Sequence, residues 1–195
     1  MEIDPSVYGQ QTCAQCNTES RHFDHQRSFA LYNGIARKLV LRAKNRYCRA
    51  TTQLLGSWVN LSGVGLWSGV SIIVPIPSHW TRRLYRGYNP AATIASATSA
   101  LRQIPVFEAL GCKFTQKQQG KTTKERETNV KEKFYIRKDI AGKSIAIIDD
   151  VITTGATLNE AARVCAEAGA KRIICLTALR TEVEPYKTHK AHEVI

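Results

Sequence analysis

The chain has 195 residues, 43% of them hydrophobic and 23% charged. That is enough for one α/β core with an appendage and too little for two large domains. Twenty-eight Lys and Arg stand against sixteen Asp and Glu, a net charge of +12, which favours polyanionic partners such as pyrophosphorylated sugars or nucleic acid. No apolar run approaches the ~20 residues of a membrane span, MEIDPSVYGQQ has no apolar leader core, and six cysteines without an export signal read as reduced thiols. The expectation is a cytoplasmic protein without membrane insertion.

Residues 1–28 are polar and weakly patterned, an amino-terminal arm ahead of a domain at 29–195. Cys13 and Cys16 form a CxxC, half of a zinc site, and His22 and His25 would complete C-x2-C-x5-H-x2-H. The spacing is short for a common finger, and the alternative is a redox-inert pair in a loose arm. From about Ser28 to Ala50 the pattern predicts a helix, with Leu31, Ile35, Leu39 and Ala43 on one face and Lys38, Arg42, Arg46 and Arg49 along another. Arg37 to Arg49 holds six basic residues and no acid. Such a stripe is ordinarily a solvated helix face; beside Tyr47 it is also a candidate track for the phosphates of single-stranded DNA.

Helix is expected to continue from Thr52 to Trp58, before a Gly/Ser loop from Val59 to Gly69. Ser71 to Val74 reads as a short buried strand, stopped by Pro75 and Pro77. The loop carries Ser78, His79, Arg82, Arg83 and Arg86, and cations after a rigid strand end suit a pyrophosphate. A helix is predicted over Ala91 to Arg102 and a weak strand over Val106 to Leu110. Thr115 to Glu132 has many charges and no apolar period; a segment of that length inside a compact domain reads as a lid. Phe134 to Arg137 reads as a short strand, Arg172 to Leu179 as a last buried strand, and residues 181–195 as a polar tail.

The most informative stretch is SIAIIDDVITTGAT, Ser144 to Thr157. Ile145 to Ile148 read as a strand buried on both faces that stops at Asp149 and Asp150, on the ligand-binding edge of an α/β sheet. Thr153, Thr154, Gly155 and Ala156 form a turn, and Thr157 to Ala168 has helical spacing with Gly169 as its cap. Free N–H groups at that helix start, with the three Thr hydroxyls, make a monophosphate site that Gly155 lets a ligand approach. Two carboxylates beside a phosphate repel it unless they serve hydroxyls of the same ligand. Together these features describe a cradle for a ribose 5-phosphate.

Ile147 to Thr157 resembles the phosphoribosyl pyrophosphate (PRPP) loop of type I phosphoribosyltransferases. The resemblance widens when Val74 to Asn89 (VPIPSHWTRRLYRGYN), Gln118, Lys124-Glu125-Arg126, Asn129-Val130 and Phe134 are read in order with it. The pattern, together with Cys13, Cys16, Phe23-Asp24, Tyr32-Asn33-Gly34 and Lys44 upstream, is similar to the ComF/GntX group of phosphoribosyltransferase-like proteins. Members usually carry two CxxC pairs where this chain has one, and commonly Gln where it has Pro90.

The resemblance implies an α/β fold, a type I phosphoribosyltransferase-like parallel sheet flanked by helices, with a flexible lid loop and a short Cys-containing arm. It implies that Asp149 and Asp150 bind the ribose hydroxyls and that Val151 and Thr153, Thr154, Gly155, Ala156 and Thr157 hold the 5-phosphate. Ser78, His79, Arg82 and Lys44 would face PRPP, and Lys117, Lys121, Lys124 and Arg126 would close on the pyrophosphate, Arg126 as a catalytic cation. Mg²⁺ would accompany PRPP, and the group's association with natural competence implies a part in DNA uptake. Two functions follow: a transferase moving phosphoribosyl to an acceptor, or a non-catalytic PRPP or 5′-phosphate module that binds single-stranded DNA.

Overall fold

The computed structural model describes residues 21–78, 84–113 and 133–182. Its centre is a four-stranded parallel sheet in the order β1-β6-β5-β2. The strands are β1 (His25–Leu31), β2 (Ile72–Pro75), β5 (Ser144–Ile152) and β6 (Arg172–Arg180); β3 (Leu110–Cys112) and β4 (Phe134–Ile136) form a separate antiparallel pair. The helices are α1 (Gly34–Asn45), α2 (Arg49–Ser62), α3 (Pro90–Arg102) and α4 (Ala156–Glu167).

Alternation along β5 decides the layers. Ile145 and Ile147 point into a core shared with Leu158, Ala161 and Cys165 of α4 and Phe134 of β4. Ala146 and Ile148 point into a second core with Val40 of α1, Leu55 and Val59 of α2 and Ile94 of α3. All four are fully buried, so each Ile contributes roughly 1.5–3 kcal/mol of transfer free energy. A strand covered on both sides needs this unbroken apolar run rather than alternation with polar residues. Helices α2 and α3 cross closely at Gly56, where an added Cβ would lie 2.5 Å from Ala97 Cβ. Thr98 Oγ1 donates there to the Gly56 carbonyl, at 3.2 Å.

Several expectations are corrected. Ser28 to Leu31 is not the start of a helix: it belongs to β1, which runs parallel to β6 from His25 and so begins inside the expected arm. Its partner lies far along the chain, so no local period announces it. The expected apolar stripe also changes, because Ile35 is 76% exposed while Val40 and Ala43 make the contact. Val59 to Ser62 is helical, since Val59 packs into the core and Ser62 Oγ donates to the Val59 carbonyl. Around Val106 there is a single bridge to Ile73, and the strand proper starts at Leu110. Helix α4 starts at Ala156, and Gly169, at φ 81°, follows its last turn.

Candidate functional site

Strand β5 does not stop at its acids: it carries Asp149 and Asp150 and continues to Ile152. Pairing of Asp149 with Thr177 and of Val151 with Leu179 in β6 supplies the backbone hydrogen bonds that keep it extended. Strand alternation turns the two carboxylates to opposite faces. Asp150, 8% exposed, meets Lys44 of α1, whose Nζ lies 2.9 Å from Oδ1. Asp149 accepts from the Asp150 N–H at 2.8 Å. Burial, and then the neighbouring Asp150 charge, push the Asp149 carboxyl up to about 7, against the opposing pull of that N–H, Lys44 and Lys133. The site therefore favours a hydrogen-bonding or cationic partner for Asp149 over a bare second anion.

The turn after β5 is held by Gly155, the N-cap of α4, at φ 83°. This left-handed backbone suits Gly. No side chain satisfies the helix start in the cap position, and the Ala156 N–H makes only a long 3.4 Å contact with Thr154 Oγ1. Thr153 and Thr154 are exposed, and Thr157 is half-buried. The first turn of α4 thus presents N–H groups and hydroxyls beside the carboxylates, an arrangement that receives an anion.

Strand β2 ends at Pro75, opposite Ile148, the residue before Asp149, and the Ile76 N–H donates to the Ile148 carbonyl at 2.9 Å. Ile76 and Ser78, just beyond the strand, are fastened by Asn89. Its Oδ1 accepts from Ser78 Oγ at 2.8 Å and from the Ala91 N–H at 3.2 Å, and its Nδ2 donates to the Ile76 carbonyl at 2.9 Å. Asn89 is also the N-cap of α3, with Pro90 at the first helical position. Tyr88 Oη donates to the Ala43 carbonyl, and the Tyr47 and Tyr88 rings meet edge-on, 5.9 Å between centroids. The end of α1 is thereby tied to the residues that precede α3 and, through Lys44, to β5.

Of the residues singled out in the sequence, the structure gathers Asp149, Asp150, Lys44 and the turn from Val151 to Thr157 into one region, while Ser78 lies three residues beyond the neighbouring strand β2, bonded to Asn89. Lys38, Arg42, Arg46 and Arg49 are exposed, as is Tyr47. His79, Arg82, Lys117, Lys121, Lys124, Arg126, Cys13 and Cys16 lie outside the described residues. Among the described residues no group of three or more His, Cys, Asp and Glu could hold a metal ion, and no helix is long and apolar enough to cross a membrane. Sequence reasoning missed Asn89 and Lys133 as contributors; the Asn-Pro pair before a helical run was the available signal for the first. It also missed that no Asp or Glu occurs between Asp24 and Glu108, so α1, α2 and α3 carry no carboxylate.

Residues 85–194 match the family of the phosphoribosyl transferase domain. A curated relative, Competence protein F of Haemophilus influenzae, is 33% identical over 106 residues, 52% of this chain and 46% of the relative. Ribose-phosphate pyrophosphokinase of Prochlorococcus marinus is 46% identical over 46 residues, 24% of this chain and 14% of that protein. The chain thus spans less than half the length of either relative. Among solved structures, glutamine PRPP amidotransferase from B. subtilis aligns with a TM-score of 0.46 at 19% identity, covering 65% of this chain and 26% of that one. Since the domain match takes in more than half of its residues, including the Asp149–Asp150 strand end and the Gly155 turn, the chain belongs to the phosphoribosyl transferase domain family.

Proposed function

We propose that the chain binds PRPP at the carboxyl edge of its sheet and transfers the phosphoribosyl group to an acceptor. The observation that carries this reading is the pair Asp149 and Asp150 in the carboxyl-terminal part of β5, followed within a few residues by the Gly155 turn and the uncapped start of α4. The turn receives the 5-phosphate through backbone N–H groups and the hydroxyls of Thr153, Thr154 and Thr157. The carboxylates accept from the 2- and 3-hydroxyls and orient the ribose. Ser78, with the cations that follow it in sequence, binds the pyrophosphate. Mg²⁺ would come with PRPP, taking most of its oxygens from phosphate and water; Asp149 or Asp150 would hold it through water, and it would supply charge neutralisation at the departing pyrophosphate. The bond from C1 to the pyrophosphate oxygen breaks, the acceptor's bond to C1 forms, and the acceptor loses its proton.

Calorimetric titration with PRPP tests the reading. Saturable binding that requires Mg²⁺ and weakens at least about tenfold in Asp150→Asn is expected; no heat of binding with the intact protein overturns it. Pyrophosphate release in an acceptor screen then separates a transferase from a binding module.

A second reading is favoured by the acid-free helix layer. Its exposed Lys38, Arg42, Arg46 and Arg49 beside Tyr47 suit single-stranded DNA, as the basic and aromatic residue types of such surfaces require. With the similarity to Competence protein F, this supports a part in DNA uptake. Anisotropy of a labelled oligonucleotide tests it: binding that does not respond to salt removes the reading.

A further inference from the structure

Beyond its first residue, helix α2 carries no charge at all: no Asp, Glu, Lys or Arg occurs between Arg49 and Arg82. One side of the helix is covered by the fold, since Thr51, Leu55, Val59 and Ser62 are buried. On another side Leu54, Trp58 and Leu61 fall at i, i+4 and i+7, so they line one stripe. Leu54 is 40% exposed and Leu61 51%. A helix face left to solvent ordinarily carries charged and polar residues.

Strand β1, an edge of the four-stranded sheet, extends the stripe. Its exposed Phe29 stacks on Trp58, with ring centroids 5.2 Å apart and 17° between the planes. Arg27, two residues earlier and so on the same side of the strand, donates through Nη1 to the Val64 carbonyl at 3.0 Å. That bond holds the turn after α2, with the exposed Val64 at the far end of the stripe. The apolar surface thus follows α2 for about three turns, ~15 Å. It contains none of the residues of the PRPP site.

Charge decides what can cover it. The stripe has a cation at each end, Arg49 in the first turn of α2 and Arg27 beside Val64, and neither forms an ion pair among the described residues. A second copy of the chain would bring like charges together. Antiparallel α2 helices would set Arg49 against Arg27, and parallel ones would set each against its own counterpart. No carboxylate lies between Asp24 and Glu108 to offset them. Nucleic acid would find no cation along the stripe between its ends. A bilayer needs apolar side chains free to insert, whereas Phe29 and Trp58 are stacked on each other and Trp58 packs against the core. A segment that is apolar on one face and acidic at its flanks meets every requirement, and ridges at helical spacing on α2 receive another helix.

We propose that the stripe formed by α2 and Phe29 is a docking site for an acidic amphipathic helix of a partner protein, whose apolar residues cover Leu54, Trp58 and Leu61 and whose carboxylates meet Arg27 and Arg49. Nothing in this site requires PRPP to be bound.

Fluorescence anisotropy of the full chain, without PRPP, tests it with a labelled helical peptide of about 15 residues that has Leu at i, i+4, i+7 and i+11 and is rich in Glu elsewhere. Two further peptides serve as comparisons: the same Leu pattern with Lys for Glu, and the Glu peptide with its Leu positions scrambled off one face. Saturable binding of the Glu peptide is expected, with both comparisons at least about tenfold weaker. Leu54→Ser with Leu61→Ser, and separately Arg27→Gln with Arg49→Gln, should each weaken the Glu peptide about tenfold, the second pair also making binding less sensitive to salt. Thermal melts of each variant separate lost binding from lost folding. The proposal is overturned if the Glu peptide does not saturate, if the Lys or scrambled peptide binds equally, or if either folded variant binds like the native protein. A dimer in sedimentation that Leu54→Ser with Leu61→Ser dissolves would assign the stripe to a second copy. Capture by phosphatidylglycerol vesicles that is lost in the same variant would assign it to a lipid surface, and displacement of the peptide by oligothymidine would assign it to nucleic acid. Each of these outcomes overturns the proposal too.

Discussion

Lys44 Nζ and Asp150 Oδ1 lie 2.9 Å apart, joining the last turn of α1 to the carboxyl-terminal part of β5. Asp150 is 11% exposed at its side chain and Lys44 30%, so the pair is screened on one side only. Lys44→Met leaves the carboxylate without its counter-charge. A loss of about 1–3 kcal/mol is expected, below that of a fully enclosed pair. Urea unfolding measures it, and Lys44→Met with Asp150→Asn should cost less than the two single changes summed.

Asp149 makes stability pH-dependent. Its carboxyl is raised to about 7 by burial and by Asp150, so between the ordinary carboxylate value and about 7 the folded state holds a proton that the unfolded state has released. This contribution is present in full below the unfolded value and is lost as pH rises toward 7. Relative to Asp149→Asn, the native protein should lose stability with a slope of up to about 1.4 kcal/mol per pH unit. Asn keeps the oxygen that accepts from the Asp150 N–H. Parallel thermal melts across this range check the sign, and identical pH profiles would refute it.

Gly155→Ala places a Cβ on a residue at φ 83°, with Ile152 Cδ1 at 3.4 Å. The space is adequate, so the cost is chiefly backbone strain of about 1–2 kcal/mol. Under the proposed function PRPP affinity should fall at least about tenfold, because the turn relaxes away from the phosphate. Calorimetry on the folded variant measures it.

Gly56→Ala tests the helix crossing. The new methyl would lie 2.5 Å from Ala97 Cβ, with Ala97 and Thr98 backbone atoms at 3.2 Å. Rigid neighbours cannot give way, so destabilisation of about 1–3 kcal/mol is expected despite the better helix propensity of Ala. A urea midpoint at or above that of the native protein would contradict this packing.

If the acid-free layer binds single-stranded DNA, changing Lys38, Arg42 and Arg46 to Glu should make the dependence of log affinity on log salt shallower by about 2, from about 0.7 per phosphate contact. An unchanged slope would remove these residues from the interface.

How much was legible follows from the range of the interactions. The β5 run, the α4 period and the Gly155 turn were readable because each depends on neighbours within a few positions. The same local reading failed at Ser28 to Leu31, which is extended only because β6 lies beside it. It also ended β5 at the acids, since an apolar pattern says nothing of the backbone pairing with β6 that extends the strand to Ile152. The Asn89–Pro90 pair is a capping signal that the sequence reading left unused, and nothing local shows that the Asn89 amide fastens Ser78 and Ile76.

By itself, the order of residues determined the chemistry of the site: two carboxylates, a Gly turn, hydroxyls and a helix start fall within one short segment, where covalent connection sets their spacing. Only the tertiary structure decided their company. Lys44 reaches Asp150, Pro75 comes opposite Ile148, and Thr93, Ser96, Glu108 and Arg137 line one cleft. These groups are far apart in the chain and meet because the sheet order and two apolar cores fix them, which no local pattern encodes.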